Sequence, residues 1–144
     1  LSAITLVEDM AIVINTGDSP VYHYRAGEGD LYLESHIMNK AEADASRGKY
    51  EKETEDYYQN THILLSYLGK REDLSEREIS LRYIYRIAPG DKLILGTDGA
   101  FGETKKEQIC QMAREENGQG LIMRLFETAR DTDDDDQTAI LLEF

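Results

Sequence analysis

The stretch Pro89-Gly90-Asp91-Lys92-Leu93-Ile94-Leu95-Gly96-Thr97-Asp98-Gly99 decides the fold. Pro-Gly-Asp is a turn sequence, and the run Leu93-Ile94-Leu95 that follows does not alternate with polar residues, the pattern of a strand covered on both faces. Lys92 to Thr97 is therefore expected to be a buried central strand. It stops at Asp98-Gly99, where a carboxylate leaves the sheet edge and glycine lets the backbone turn closely around whatever that carboxylate binds.

Downstream, a helix is expected from Thr104, with Ile109, Met112 and Ala113 on one face. Gly118-Gln119-Gly120 then separates it from a second helix bearing Leu121, Ile122, Leu125, Phe126 and Ala129. An acidic run from Asp131 to Asp136 precedes a last apolar strand, Thr138 to Phe144. Upstream, Ile79 to Ile87 alternates apolar and polar residues as a half-buried strand does. Nearer the start, Met10 to Thr16 reads as a strand, followed by the turn Gly17-Asp18-Ser19-Pro20 and strands at Val21 to Arg25 and Leu31 to Leu33. Thr5 to Val7 adds an earlier strand across a turn at Glu8-Asp9. Between the two groups of strands lies an excursion over about 36–60, rich in Glu, Lys, Asp and Ala. Asn39 is positioned to cap a short helix through Arg47, and Tyr50 to Tyr58 is either helix or irregular loop. Strands, an excursion, strands, two helices and a strand make an α+β fold with helices gathered on a sheet face.

The 144 residues suit a single domain or part of one, and 16 basic against 29 acidic residues give a net charge of −13. That balance repels a phosphate backbone, so nucleic acid is not an expected partner. One cysteine, Cys110, allows no internal disulfide, and no Cys/His spacing suits zinc. The chain reads as a cytoplasmic protein with no membrane span.

Asp98 closes one apolar strand, and Asp135 and Asp136 directly precede another. If those strands are neighbours their acidic ends converge, and such carboxylates repel one another unless a cation or protons intervene. Oxygen donors without His or Cys favour Mg²⁺ or Mn²⁺. On spacing alone the competing reading is a solvated acidic loop and an ordinary strand-end turn.

Four segments taken in order, Thr16-Gly17-Asp18-Ser19, Asn60 to Gly69, Pro89 to Gly99 and Asp135-Asp136-Gln137-Thr138-Ala139, resemble the successive C-terminal motifs of the 2C-type (PPM) serine/threonine protein phosphatases. The resemblance implies part of a four-layer α-β-β-α sandwich of antiparallel sheets with a two-metal site at one end. Asp98 and Asp135 would be metal ligands, and Asp18 would lie beside them, near a further metal. It also implies two Mg²⁺ or Mn²⁺ ions and a phosphoprotein substrate, hydrolysed by a metal-bridging water with no protein nucleophile. Residues 39–60 correspond to the flap that influences substrate choice in relatives.

Some positions differ from the family pattern. Pro20 stands where the third motif has arginine, Gly102 where many members have aspartate, and Asp136 where asparagine is usual. The family's first Asp-Gly motif, its phosphate-binding arginine and its N-terminal helices are expected to precede Leu1. The chain by itself is then expected to be an inactive partial domain, which dimerises or aggregates through exposed sheet edges. Two alternatives stand beside this: a non-catalytic phosphatase-like module that binds a partner, and a small acidic cation-binding domain.

Overall fold

The computed structural model describes residues 1–52, 54–69, 78–130 and 135–144. The expected acidic loop over 131–134 lies outside the described residues.

Strand β1 (Ser2–Val7) turns through Glu8-Asp9 into β2 (Met10–Asn15), with Val7 opposite Met10. β2 also pairs antiparallel with β5 (Ser80–Ile84), giving a sheet of order β1-β2-β5. The second sheet joins β3 (Val21–Arg25), β4 (Asp30–Leu33), β6 (Lys92–Gly96) and β7 (Ala139–Glu143) in the order β4-β3-β6-β7, antiparallel throughout.

The uninterrupted apolar run in β6 follows from its double burial. Leu93 and Leu95 pack with Ala11, Val13, Val21 and Ile84 between the two sheets. Ile94 points the other way, into a cluster with Tyr24, Leu31, Ile109, Met112, Leu121 and Leu125. The last four belong to α4 (Lys106–Glu115) and α5 (Gly118–Arg130), so the described elements stack as helices, sheet, sheet. Those are three of the four layers of the expected sandwich. The outer face of β1-β2-β5 is open to solvent, with Ile14, Leu81 and Tyr83 at 40%, 51% and 50% exposure.

Lys92 shows how the layers are joined. Its buried ammonium donates to the carbonyls of Ala113 and Glu116, which have no partner in the next turn at the end of α4. Lys92→Met keeps the stem but leaves both carbonyls unpaired. It should lower stability by about 2 kcal/mol, read from thermal or urea unfolding.

The expected helix at Asn39 is present as α1 (Lys40–Ser46), with the Asn39 side chain accepting the Glu42 amide. Other boundaries differ from expectation. Only α2 (Glu55–Tyr58) is helical within Tyr50 to Tyr58, capped by Thr54. The strand expected to reach Ile87 ends at Ile84, and Arg86 takes a positive φ of 59°. Gly118-Gln119-Gly120 does not separate the helices. It is the first turn of α5, whose Gly118 amide is satisfied by the Glu143 carboxylate. Asp98-Gly99, expected as a turn, opens the short helix α3 (Asp98–Phe101), anchored by the buried side chains of Ala100 and Phe101.

Candidate functional site

β6 and β7 are neighbours, with Gly96 opposite Ala139, so their acidic ends converge. Thr97 ties them together. Its amide donates to the Thr138 carbonyl (2.9 Å), its hydroxyl donates to the Asp136 carbonyl (3.1 Å), and the Thr138 amide donates back to that hydroxyl (3.2 Å). Two glycines make the approach possible. A Cβ on Gly96 would lie 2.7 Å from the Thr138 carbonyl oxygen, and one on Gly99 would lie 2.7 Å from the Asp136 carbonyl oxygen and 3.0 Å from the Asp135 Cβ. Side chains there would force the two segments apart.

Asp18 reaches the same place from the turn after β2, where Gly17 adopts a φ of +98° and its carbonyl accepts the Met38 amide. Asp18 is half-buried. Burial pushes its carboxyl above the usual carboxylate range, and the negative charges of Asp98 and, more weakly, Asp135 act in the same direction. A backbone hydrogen bond partly opposes them. The charges of Asp98 and Asp135 thus act on Asp18, and the three sequence-predicted residues line one open cleft of about 640 Å³. Asp136 contributes its carbonyl to the Thr97 hydroxyl.

Among the described residues, no group of three or more His, Cys, Asp or Glu side chains forms a set able to hold a metal ion by itself. The arrangement is a set of oxygen donors around a cleft rather than a closed cage. Its chemistry fits a hard cation that keeps several waters beside one or two carboxylates, as Mg²⁺ does.

The excursion supplies an aromatic wall. Tyr57 and Tyr58 of α2, with Thr61 and His62, line the same cleft as the aspartates, as do Tyr22 and Phe101, whose ring centroids are 5.1 Å apart. A narrow neck holds the wall to the sheets: Asn39 bridges Leu64, the Lys40 amide donates to the Ile63 carbonyl and the Leu65 amide to the Met38 carbonyl. Inside the excursion, Asp44 accepts from Lys40 (2.7 Å) and Lys49 (2.9 Å), which hold its pKa down at about 2. The Tyr57 hydroxyl donates to Glu42, which also pairs with Lys52, and burial pushes the Tyr57 pKa up.

Because the folded Asp44 pKa lies below its ordinary value of 3.8, its contribution is fully present above about pH 4 and fades as pH falls toward 2. Protection of the amides in residues 40–49, taken relative to the intrinsic exchange rate at each pH, should therefore fall between pH 4 and pH 2. Asp44→Asn should remove that pH dependence.

His23 is fully buried, its Nε2 3.2 Å from an Asp91 carboxylate that also accepts the Ala26 and Ala88 amides, so the group staples the turn before β6. His36 is exposed on the neck. Gly102, in place of an expected aspartate, has φ 51° and ψ −137°, a conformation for which glycine is suited. Pro20 directly precedes β3, its carbonyl accepts the Gly96 amide and it lines the cleft. Sequence reasoning missed the bridging role of Thr97 and the aromatic wall. Thr97's place immediately before Asp98-Gly99 was the available signal for the first.

Comparison with known proteins follows the same lines. No protein-family model and no curated protein sequence matches the chain. Solved structures do. The PPM Ser-Thr phosphatase MsPP from Mycobacterium smegmatis, in complex with cacodylate, aligns over 97% of this chain and 59% of its own, with 24% identity and a TM-score of 0.70. The Mycobacterium tuberculosis serine/threonine phosphatase PstP/Ppp aligns over 97% and 57%, at 20% identity and TM-score 0.81. The catalytic domain of PstP in complex with two manganese ions aligns over 97% and 55%, at 20% identity and TM-score 0.75. The chain therefore has the fold of PPM serine/threonine phosphatases and spans a little more than half the length of these structures.

Proposed function

We propose that this chain belongs to a cytoplasmic, metal-dependent phosphatase acting on phosphoserine and phosphothreonine in proteins, and forms the C-terminal part of its catalytic domain. The convergence of Asp18, Asp98 and Asp135 on one cleft, in the fold of the PPM phosphatases, carries this reading. Asp98 and Asp135 would hold Mg²⁺ or Mn²⁺, with Asp18 beside them. Such ions supply an activated water and offset charge on the phosphoryl oxygens. The protein's own part is positional: Thr97, Gly96 and Gly99 fix the separation of the Asp98 and Asp135 segments, and the α2 wall bounds the space a substrate enters. A solved neighbour's two manganese ions support the choice of metal.

The test is phosphate release from a serine-phosphorylated peptide by the protein that carries this domain. Release should require Mn²⁺ or Mg²⁺ and stop with chelator, while the 144 residues alone should be inactive. Mn²⁺ binding without release by the whole protein would favour a non-catalytic phosphatase-like module. Among the described residues, no Lys or Arg side chain lines the cleft, and that observation favours this second reading.

The open face bearing Ile14, Leu81 and Tyr83 also supports self-association of the isolated chain. Sedimentation at tens of micromolar should show dimers or larger species, and a single monomeric boundary would contradict that.

A further inference from the structure

The cleft lining combines two chemically different groups. One is the carboxylates Asp18, Asp98 and Asp135, and the other is an aromatic surface made by Tyr57 and Tyr58 of α2 with Tyr22. The rings support one another, Tyr57 standing edge-on to both Tyr58 (5.6 Å between centroids) and Tyr50 (6.4 Å). Tyr57 is fixed at its tip by the hydrogen bond to Glu42 of α1, the helix against which α2 packs. Both tyrosines are partly rather than fully buried, so ring surface remains open on the cleft side. A braced aromatic surface binds an apolar side chain with little ordering entropy, because tyrosine has few torsions to immobilise. With no Lys or Arg side chain among the described cleft residues, and a net charge of −13, the same surface disfavours acidic residues beside the reacting group and favours basic ones.

We propose that Tyr57 and Tyr58 are specificity-determining residues, selecting phosphopeptides in which the phosphorylated residue is flanked by a large apolar or aromatic side chain and by Lys or Arg. This rests on the phosphatase reading for its choice of ligand, but its test is a binding measurement that requires no turnover.

The experiment compares serine-phosphorylated peptides of equal length, flanked by Phe and Arg, by Ala and Arg, or by Glu, binding in Mn²⁺ to the protein carrying this domain. Fluorescence anisotropy is the readout. The Phe/Arg peptide should bind about tenfold more tightly than the Ala/Arg peptide, and the Glu-flanked peptide should be weakest. Tyr58→Ala should erase the Phe-over-Ala preference while leaving Ala/Arg binding unchanged, and Tyr58→Phe should retain it. Hydrolysis of a small aryl phosphate by the unaltered protein reports separately on the phosphatase reading. Equal affinity for the Phe and Ala peptides, or an equal loss on every peptide in Tyr58→Ala, overturns the proposal even if turnover is observed. The predicted preference supports it even if the protein proves non-catalytic.

Discussion

Asp98→Asn is expected to reduce metal-dependent phosphate release by the protein carrying this domain on the order of a hundredfold or more, while leaving the fold intact. The two halves of that expectation come from different observations. Asp98 is exposed at the first position of α3, and the helix is anchored by Ala100 and Phe101 rather than by the carboxylate. Stability should therefore change by no more than about 0.5 kcal/mol, as for most exposed substitutions. Asparagine keeps the size of the side chain but removes its charge. Asp18 is then relieved of the stronger of its two carboxylate neighbours. Phosphate release and urea unfolding measured on the same preparation separate the effects. Loss of activity together with a large loss of stability would mean that Asp98 is structural.

Gly99→Val should behave in the opposite way, damaging stability and site together. Gly99 is buried, and its added Cβ would collide with a carbonyl oxygen and with the Asp135 Cβ, neither of which is the flexible end of a long side chain. The segment at Asp135-Asp136 must move, which strains the bonds from Thr97 that hold it. A loss of about 2–3 kcal/mol is expected, as for overpacking in a close-packed region. Mn²⁺ affinity, measured by calorimetry at a temperature where the variant remains folded, should fall about tenfold because Asp135 shifts relative to Asp98. Native affinity in a destabilised Gly99→Val protein would show that the close approach is not what sets the metal site.

Much of this fold could be read from local pattern. β6 was legible because its apolar run is buried on both faces, between the sheets at Leu93 and against the helices at Ile94. α1 was legible because an asparagine cap acts through a bond three residues away. α3 was not, because its four residues include a glycine and are held by core contacts rather than by helix propensity. The alternation of Leu81 and Tyr83 correctly indicated a strand. It gave no hint that these residues face solvent beside Ile14 and Ile12, with Ile84 turned inward opposite Ala11.

The site divides along the same line. Asp98 and Asp135 stand at the ends of two readable strands, so their convergence required only that β6 and β7 be neighbours. Asp18 entered through resemblance to a family, since a single aspartate in a turn carries no local signal. The roles of Gly96 and Gly99 depend on Thr138 and Asp136, and the Thr97–Asp136 bond joins positions 39 apart in sequence. No window along the chain contains that information. The aromatic wall depends on how the excursion folds back over the cleft, and its composition alone named no partner.

Mn²⁺ titration followed by paramagnetic line broadening in NMR is the most direct test of the central claim, that the ends of β2, β6 and β7 form one divalent-cation site. Amide signals at 17–19, 97–99 and 135–136 should broaden together at the lowest Mn²⁺ concentrations, and Asp98→Asn should weaken the effect in all three segments at once. Broadening that begins instead at exposed acids far from the cleft, such as Glu28 and Asp30, with these segments unaffected, would contradict it.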